Sequence, residues 1–261
     1  MDVMVVREMR PEGGVLARVT IDNRARLNSL NRALMCELVA AMAELRDDPD
    51  LRVVIVTGAG KRAFVGGADL NELATLDRDS GRDFITLVHK CCDAFRHLPV
   101  PTIARIDGFA LGAGLELAAA CDLRVASSRS NFGMPEVRVG LPSVVEAALL
   151  PLLIGVGRTR RLLLTGETIN ADTALAWGLV DEVVPPEHLN AGVETLVVSL
   201  LAGGPQAMRL QKSLILDWED LPTTAAVARG IEVFADAFAT DEPARMAGAR
   251  LAAMRARRGA D

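Results

Sequence analysis

Apolar residues recur along this chain with two different periods, and the balance between them changes near residue 145. In the first two-thirds, short β-branched runs alternate with helically spaced stretches. Val3–Val6 and Val15–Ile21 read as strands. From about Asn31 to Arg46, Leu34, Leu38, Met42 and Leu45 share one helical face. The run Leu51–Thr57 is almost continuously apolar and predicts a buried strand ended by Gly58. A helix over about Arg82–His97 stops before Pro99 and Pro101. The strand Thr102–Ile106 then leads through a glycine-rich turn into a helix from about Ala113 to Cys121, and a strand follows at Asp122–Ala126. This alternation predicts an α/β fold with sheets that are at least partly parallel.

Beyond residue 145 strand signals nearly vanish. Helical stretches are predicted near 157–164, 171–177, 187–202, 205–217, 223–239 and 242–256. Gly166, Gly178, Pro185-Pro186 and Gly203-Gly204-Pro205 punctuate them. The last cluster gives the expected division, an α/β core over residues 1–203 and a helical C-terminal region over 204–261. Helical extensions of this kind commonly pack on neighbouring subunits, so an oligomer is expected.

Composition narrows the class. With 261 residues, half of them apolar, the chain can bury a sizeable core. A net charge of -5 argues against nucleic acid as a partner, because that affinity rests on clustered Lys and Arg. Arg245, Arg250, Arg255, Arg257 and Arg258 in the tail suit either a few phosphates of a small ligand or a solvated helix face. Cys36, Cys91, Cys92 and Cys121 show no metal-ligand spacing and no disulfide framework, which fits a reducing compartment. Met1-Asp2-Val3 does not open a secretory leader, and no apolar run approaches the roughly 20 residues of a membrane span. A cytoplasmic protein is expected.

Three segments carry candidate chemistry. In Gly108-Phe109-Ala110-Leu111-Gly112-Ala113-Gly114-Leu115-Glu116, glycines mark the junction of a buried strand with a helix. Such a junction exposes unpaired backbone N–H groups and lets a ligand carbonyl approach them, which is how an oxyanion hole is built. A dinucleotide fingerprint would need a third glycine where Leu117 stands. Gly58-Ala59-Gly60-Lys61 is no phosphate-binding loop either, since Ile55 and Arg62 occupy the required Gly and Ser/Thr positions. Glu116 lies among Leu115, Leu117 and Ala118–Ala120, so its carboxyl is partly desolvated and suited to proton transfer, or else caps the helix start.

The second segment, Asn131-Phe132-Gly133-Met134-Pro135-Glu136, offers another acid, either a solvated loop residue or a partner converging on Glu116 across the intervening strand. The third, Ala63-Phe64-Val65-Gly66-Gly67-Ala68-Asp69-Leu70, is a second glycine turn before a helix, with Asp69 as the expected cap. A Ser/His/Asp hydrolase is not indicated: there is no GxSxG elbow, and His89, His97 and His188 have no nucleophile beside them in a motif.

Together these segments resemble the crotonase superfamily, the enoyl-CoA hydratase/isomerase family. The likeness runs from NRARLNSL (23–30) through AFVGGADL, GFALGAGLELAAACDLRVA and FGMPEV to LLLTGETINADTALAWGLVDEVV (162–184). It implies a spiral of ββα units with a helical C-terminal region, assembled as a homotrimer or a dimer of trimers. It implies oxyanion-hole amides at Ala68 and Ala113, and catalytic carboxyls at Glu116 and Glu136, which are 20 residues apart. Coenzyme A would arrive as part of an acyl-CoA substrate, with no separate cofactor and no metal. Its adenine end would lie near Ala25, Arg26, Gly66, Gly67 and Ala68. The implied activity is hydration of a 2-enoyl-CoA in fatty acid metabolism, with double-bond isomerisation or thioester hydrolysis as alternatives on the same scaffold, and a non-catalytic binding protein as a remote one.

The departure from the family pattern is Ser143-Val144-Val145-Glu146-Ala147-Ala148, where many hydratases have a glycine-rich stretch. Glu146 is expected to be structural, paired with an Arg at a helix start.

Overall fold

Each of the three middle turns of this fold lays one strand in a large sheet, one in a small sheet, and then a helix or helical turn. The computed structural model describes residues 1–258, and the side chains of Arg257 and Arg258 lie outside that description. The chain opens with an antiparallel pair, β1 (Asp2–Met9) and β2 (Val15–Asp22). Helix α1 (Arg32–Arg46) follows, capped by Asn31, whose side chain accepts the Leu34 N–H. Its buried residues are Leu34, Met35, Leu38, Met42 and Leu45, the face that the spacing predicts plus one neighbour.

β3 (Leu51–Gly58) then pairs in parallel with β2, and the short β4 (Ala63–Val65) starts the second sheet. A one-turn helix α2 (Leu70–Leu73) leads to α3 (Arg78–Arg96). Helix α3 begins four residues before the expected Arg82, because Asp77 and Ser80 close a reciprocal capping box. The next turn is β5 (Thr102–Ile106), β6 (Phe109–Leu111) and α4 (Ala113–Ala120). Another is β7 (Leu123–Ser127), β8 (Asn131–Gly133) and a 3₁₀ turn over Glu136–Val139.

A second 3₁₀ turn, Val145–Leu149, runs into α5 (Leu150–Thr165), which breaks at Gly155 where φ is 79°. Then come β9 (Thr168–Asn170), α6 (Ala171–Trp177), β10 (Glu182–Val184) and α7 (Leu189–Leu201). The large sheet runs β1-β2-β3-β5-β7-β10 and the small one β4-β6-β8-β9. The fold is thus the expected crotonase-like α/β spiral, with strands β9 and β10 inside the stretch read as helical.

One buried side chain ties the first turn together. Asn28 is 1% exposed in a left-handed conformation, and its side chain accepts the Asn23 N–H and donates to the carbonyls of Ala59 and Ala63. It clips the loop after β2 to both sides of the β3–β4 turn.

The chain divides into two compact units, the second beginning at Val198 within α7. The second unit contains α8 (Pro205–Asp220), α9 (Thr223–Ala237) and α10 (Glu242–Arg258). Buried Glu242 accepts the N–H groups of Gln206 and Ala207, capping the open end of α8. Arg245, Arg250 and Arg255 are exposed on α10.

Candidate active site

Strands β4 and β6 are parallel neighbours, and each runs into a helix through a glycine turn at the same end. After β4, the Leu30 N–H donates to Gly67 O and the Asp69 N–H to Leu30 O. Those bonds bracket Ala68 and leave its own N–H turned away from Leu30, with no partner among the described residues. After β6, Gly112 takes φ 52° and ψ -122°, a region open to glycine, and its N–H is used by Gly133 O. The next N–H, that of Ala113, opens α4 and has no intrahelical acceptor. Both amides belong to residues lining one cavity of about 310 Å³.

The same cavity receives Glu116 and Glu136. Glu116 sits in the first turn of α4, whose eight residues are all buried, and is itself 4% exposed. Burial, then the charge of Glu136, push its carboxyl up from 4.5 to about 8; the Ala147 N–H opposes the rise and Glu146 adds to it. Glu136 opens the 3₁₀ turn after β8, and its Oε2 accepts a 2.7 Å hydrogen bond from Ser143 Oγ. Its Oε1 occupies the space where a Cβ on Gly112 would stand. Leu73, Phe84, Ile85, Val88, Leu141 and Val144 supply an apolar wall.

Four of the residues singled out by sequence thus meet in one place: Ala68, Ala113, Glu116 and Glu136, with Gly66 and Gly67 beside them. Ala25 and Arg26 do not line the cavity; they are exposed on the turn that packs against Gly66. Arg26 donates to Asp69 Oδ2 at 2.6 Å. Asp69 also caps α2 through the Asn71 N–H, as expected of it. Burial alone would raise the Asp69 carboxyl, but the bonds from Arg26 and Asn71 hold it below its usual range.

The expected Arg partner of Glu146 is a correction. Its carboxyl is buried, and Oε1 meets His89 Nδ1 at 2.6 Å. Nothing in the local sequence marks that pair, since His89 lies 57 residues away on α3. Ser143 also escaped the sequence reading, because one hydroxyl in a loop carries no pattern.

A cavity with free amides for an oxygen and carboxyls for a proton is the equipment of an enzyme that works through an enolate. Comparison with known proteins gives that class a family. The enoyl-CoA hydratase/isomerase model matches residues 12–250, and the chain belongs to this family. It is 36% identical over 230 residues to the short-chain-enoyl-CoA hydratase of Clostridium acetobutylicum, covering 88% of each chain. It is also 36% identical over 228 residues to the crotonyl-CoA hydratase of Syntrophomonas wolfei, covering 87% of this chain and 88% of that one. The crystal structure of an enoyl-CoA hydratase from Bacillus anthracis superposes with a TM-score of 0.90 at 30% identity, over 98% of this chain and 97% of that one.

Proposed function

We infer that the protein hydrates 2-enoyl-CoA thioesters to 3-hydroxyacyl-CoA products. The observation that carries this reading is the presence of both Glu116 and Glu136 in the cavity that holds the two unpaired amides. The N–H groups of Ala68 and Ala113 receive the thioester oxygen and hold the charge that it gains as water adds at C3. A new O–C3 bond forms, the carboxyl pair accepts the proton that the water loses, and the pair returns one proton to C2. No proton is gained or lost overall. This chemistry needs one carboxyl to hold a proton, and burial keeps that of Glu116 raised to about 8. The apolar wall formed by Leu73, Phe84, Ile85 and Val88 suits an aliphatic acyl group.

Loss of enoyl absorbance from crotonyl-CoA tests the reading. Parent protein is expected to turn over, and Glu136→Gln to lose about 10²–10⁴-fold. Conversion of 3-enoyl-CoA to 2-enoyl-CoA without hydration would replace it with isomerisation, and release of free thiol with thioester hydrolysis.

Three finer points belong to the same proposal. The exposed face of Arg26, with Ala25 and the Gly66–Ala68 turn, lies at the adenine end of coenzyme A. The protein assembles as a homotrimer or a dimer of trimers, supported by the exposed Val227, Ile231, Phe234 and Phe238 on and just after α9, and sedimentation measures it. Its setting is cytoplasmic fatty acid metabolism. The cysteines Cys36, Cys91, Cys92 and Cys121 are all free, and no helix of the described residues is long and apolar enough to cross a membrane.

A further inference from the structure

The turn Val145–Leu149 packs on both α3 and α4, and it brings a third carboxyl behind the site. Glu146 is 6% exposed, and its Oε2 has no hydrogen-bond partner among the described residues. Among the described residues its side-chain partner is His89, half of whose side chain is in solvent. The next residue, Ala147, donates its N–H to Val144 O within the turn, and the same N–H is near enough to Glu116 to favour its charged form. The residue before, Val145, holds φ at 39°, which a β-branched side chain rarely adopts. A buried carboxyl with one oxygen unpaired, set by a strained residue, is a poor device for stability: an apolar side chain there would avoid the desolvation cost. Strain and burial of this kind concentrate where function holds them in place.

We propose that Glu146, anchored by His89, is a positioning residue that acts through Glu116, keeping one proton on the Glu116–Glu136 pair during hydration. The proposal rests on the hydratase reading. A negative charge beside a buried carboxyl favours its neutral form, so Glu146 works in the same direction as Glu136. The groups around it are consistent with that direction. Helix α3 contributes His89 and the buried thiols Cys91 and Cys92, both of which feel the charge of Glu146. Helix α4 contributes Glu116, and the preceding 3₁₀ turn Glu136. Helix α5 packs on the turn through its buried Leu150 and Ile154, while its Arg158 and Arg161 lie exposed against Trp177.

The test is the pH profile of crotonyl-CoA hydration, from about pH 6 to pH 10, in parent and Glu146→Gln. Glutamine keeps an acceptor for His89 and removes the charge. The basic limb is expected to move down by roughly half a unit or more. KM should stay within about twofold of the parent value, as for a loss in the chemical step rather than in binding. Glu146→Asp restores the limb in part, and Glu146→Gln unfolds no earlier than the parent. His89→Gln, altered at a half-exposed position, serves if Glu146→Gln does not fold. It frees the carboxyl from its anchor, lowering kcat at unchanged KM. A basic limb that overlays the parent's in folded Glu146→Gln overturns the proposal, as does His89→Gln with parental kcat. If the parent itself does not hydrate, the hydratase reading fails separately. Titration of the Glu116 carboxyl by ¹³C NMR, in parent and Glu146→Gln, then decides whether Glu146 governs its protonation.

Discussion

Ser143 Oγ donates to Oε2 of Glu136 at 2.7 Å, so one of the two carboxyls in the cavity is steered by a side chain seven residues further along the same loop. The bond fixes the plane of the carboxyl, with Oε1 over Gly112 and Oε2 on the hydroxyl. A hydrogen bond to a charged acceptor contributes about 1.5–3 kcal/mol, and orientation in the transition state recovers only part of that. Ser143→Ala is expected to lower kcat by about tenfold with KM little changed, measured on crotonyl-CoA.

Gly112 is constrained twice. Its φ of 52° with ψ -122° excludes a side chain on conformational grounds, and an added Cβ would collide with Glu136 Oε1. Gly112→Ala should therefore cost about 1–3 kcal/mol of stability and displace the Glu136 carboxyl. A rate loss on the order of 10² or more is expected, with a lowered Tm in the same sample.

Glu116 links activity and stability through pH. Its carboxyl is raised in the fold from 4.5 to about 8, so the folded protein holds a proton that the unfolded chain releases. That stabilising contribution is complete below about pH 4.5 and is lost as pH rises through about 8. Denaturant titration of parent and Glu116→Gln across this range should show a falling contribution in the parent that the variant lacks. Hydration by the parent should decline on a basic limb near 8, where Glu116 gives up its proton. A parent–variant stability difference that stays flat with pH would rule out the raised carboxyl.

Asn28 makes three hydrogen bonds to backbone groups from a buried, left-handed position. Asn28→Ala leaves those groups unpaired and keeps the unfavourable φ. A loss of roughly 2–4 kcal/mol in unfolding free energy is expected. Activity at low temperature should suffer less than stability, because Asn28 does not line the cavity and acts on it through the loop that bonds to Gly66–Asp69.

Sequence showed most of what depends on local pattern. The faces of α1, the buried β3, the glycine turns and the acids Glu116 and Glu136 all sit in runs whose spacing or motif is visible. Helix α3 starts ahead of its apolar face because a capping box gives no apolar signal, only Asp77 and Ser80 facing each other. Strands β4, β6 and β8 have three residues each, too few for alternation to register, and each lies beside glycine. Long-range pairs were illegible for a different reason. Only the fold brings His89 to Glu146, and a carboxyl expected to meet an Arg meets an imidazole instead. Likewise Asn28 reads as part of a motif, while its reach to Ala59 and Ala63 belongs to tertiary structure.

The parallel pairing of β4 with β6 has a genetic consequence. The two amides proposed to hold the thioester oxygen follow adjacent strands of one ladder, so their separation is set by the main chain rather than by any codon for a functional side chain. Alanine scanning is blind to them, because alanine already stands at 68 and 113. Their contribution becomes visible only when the backbone itself is edited, by proline or by an amide-to-ester replacement. The surrounding side chains are meanwhile left free to drift towards new acyl groups without dismantling the clamp.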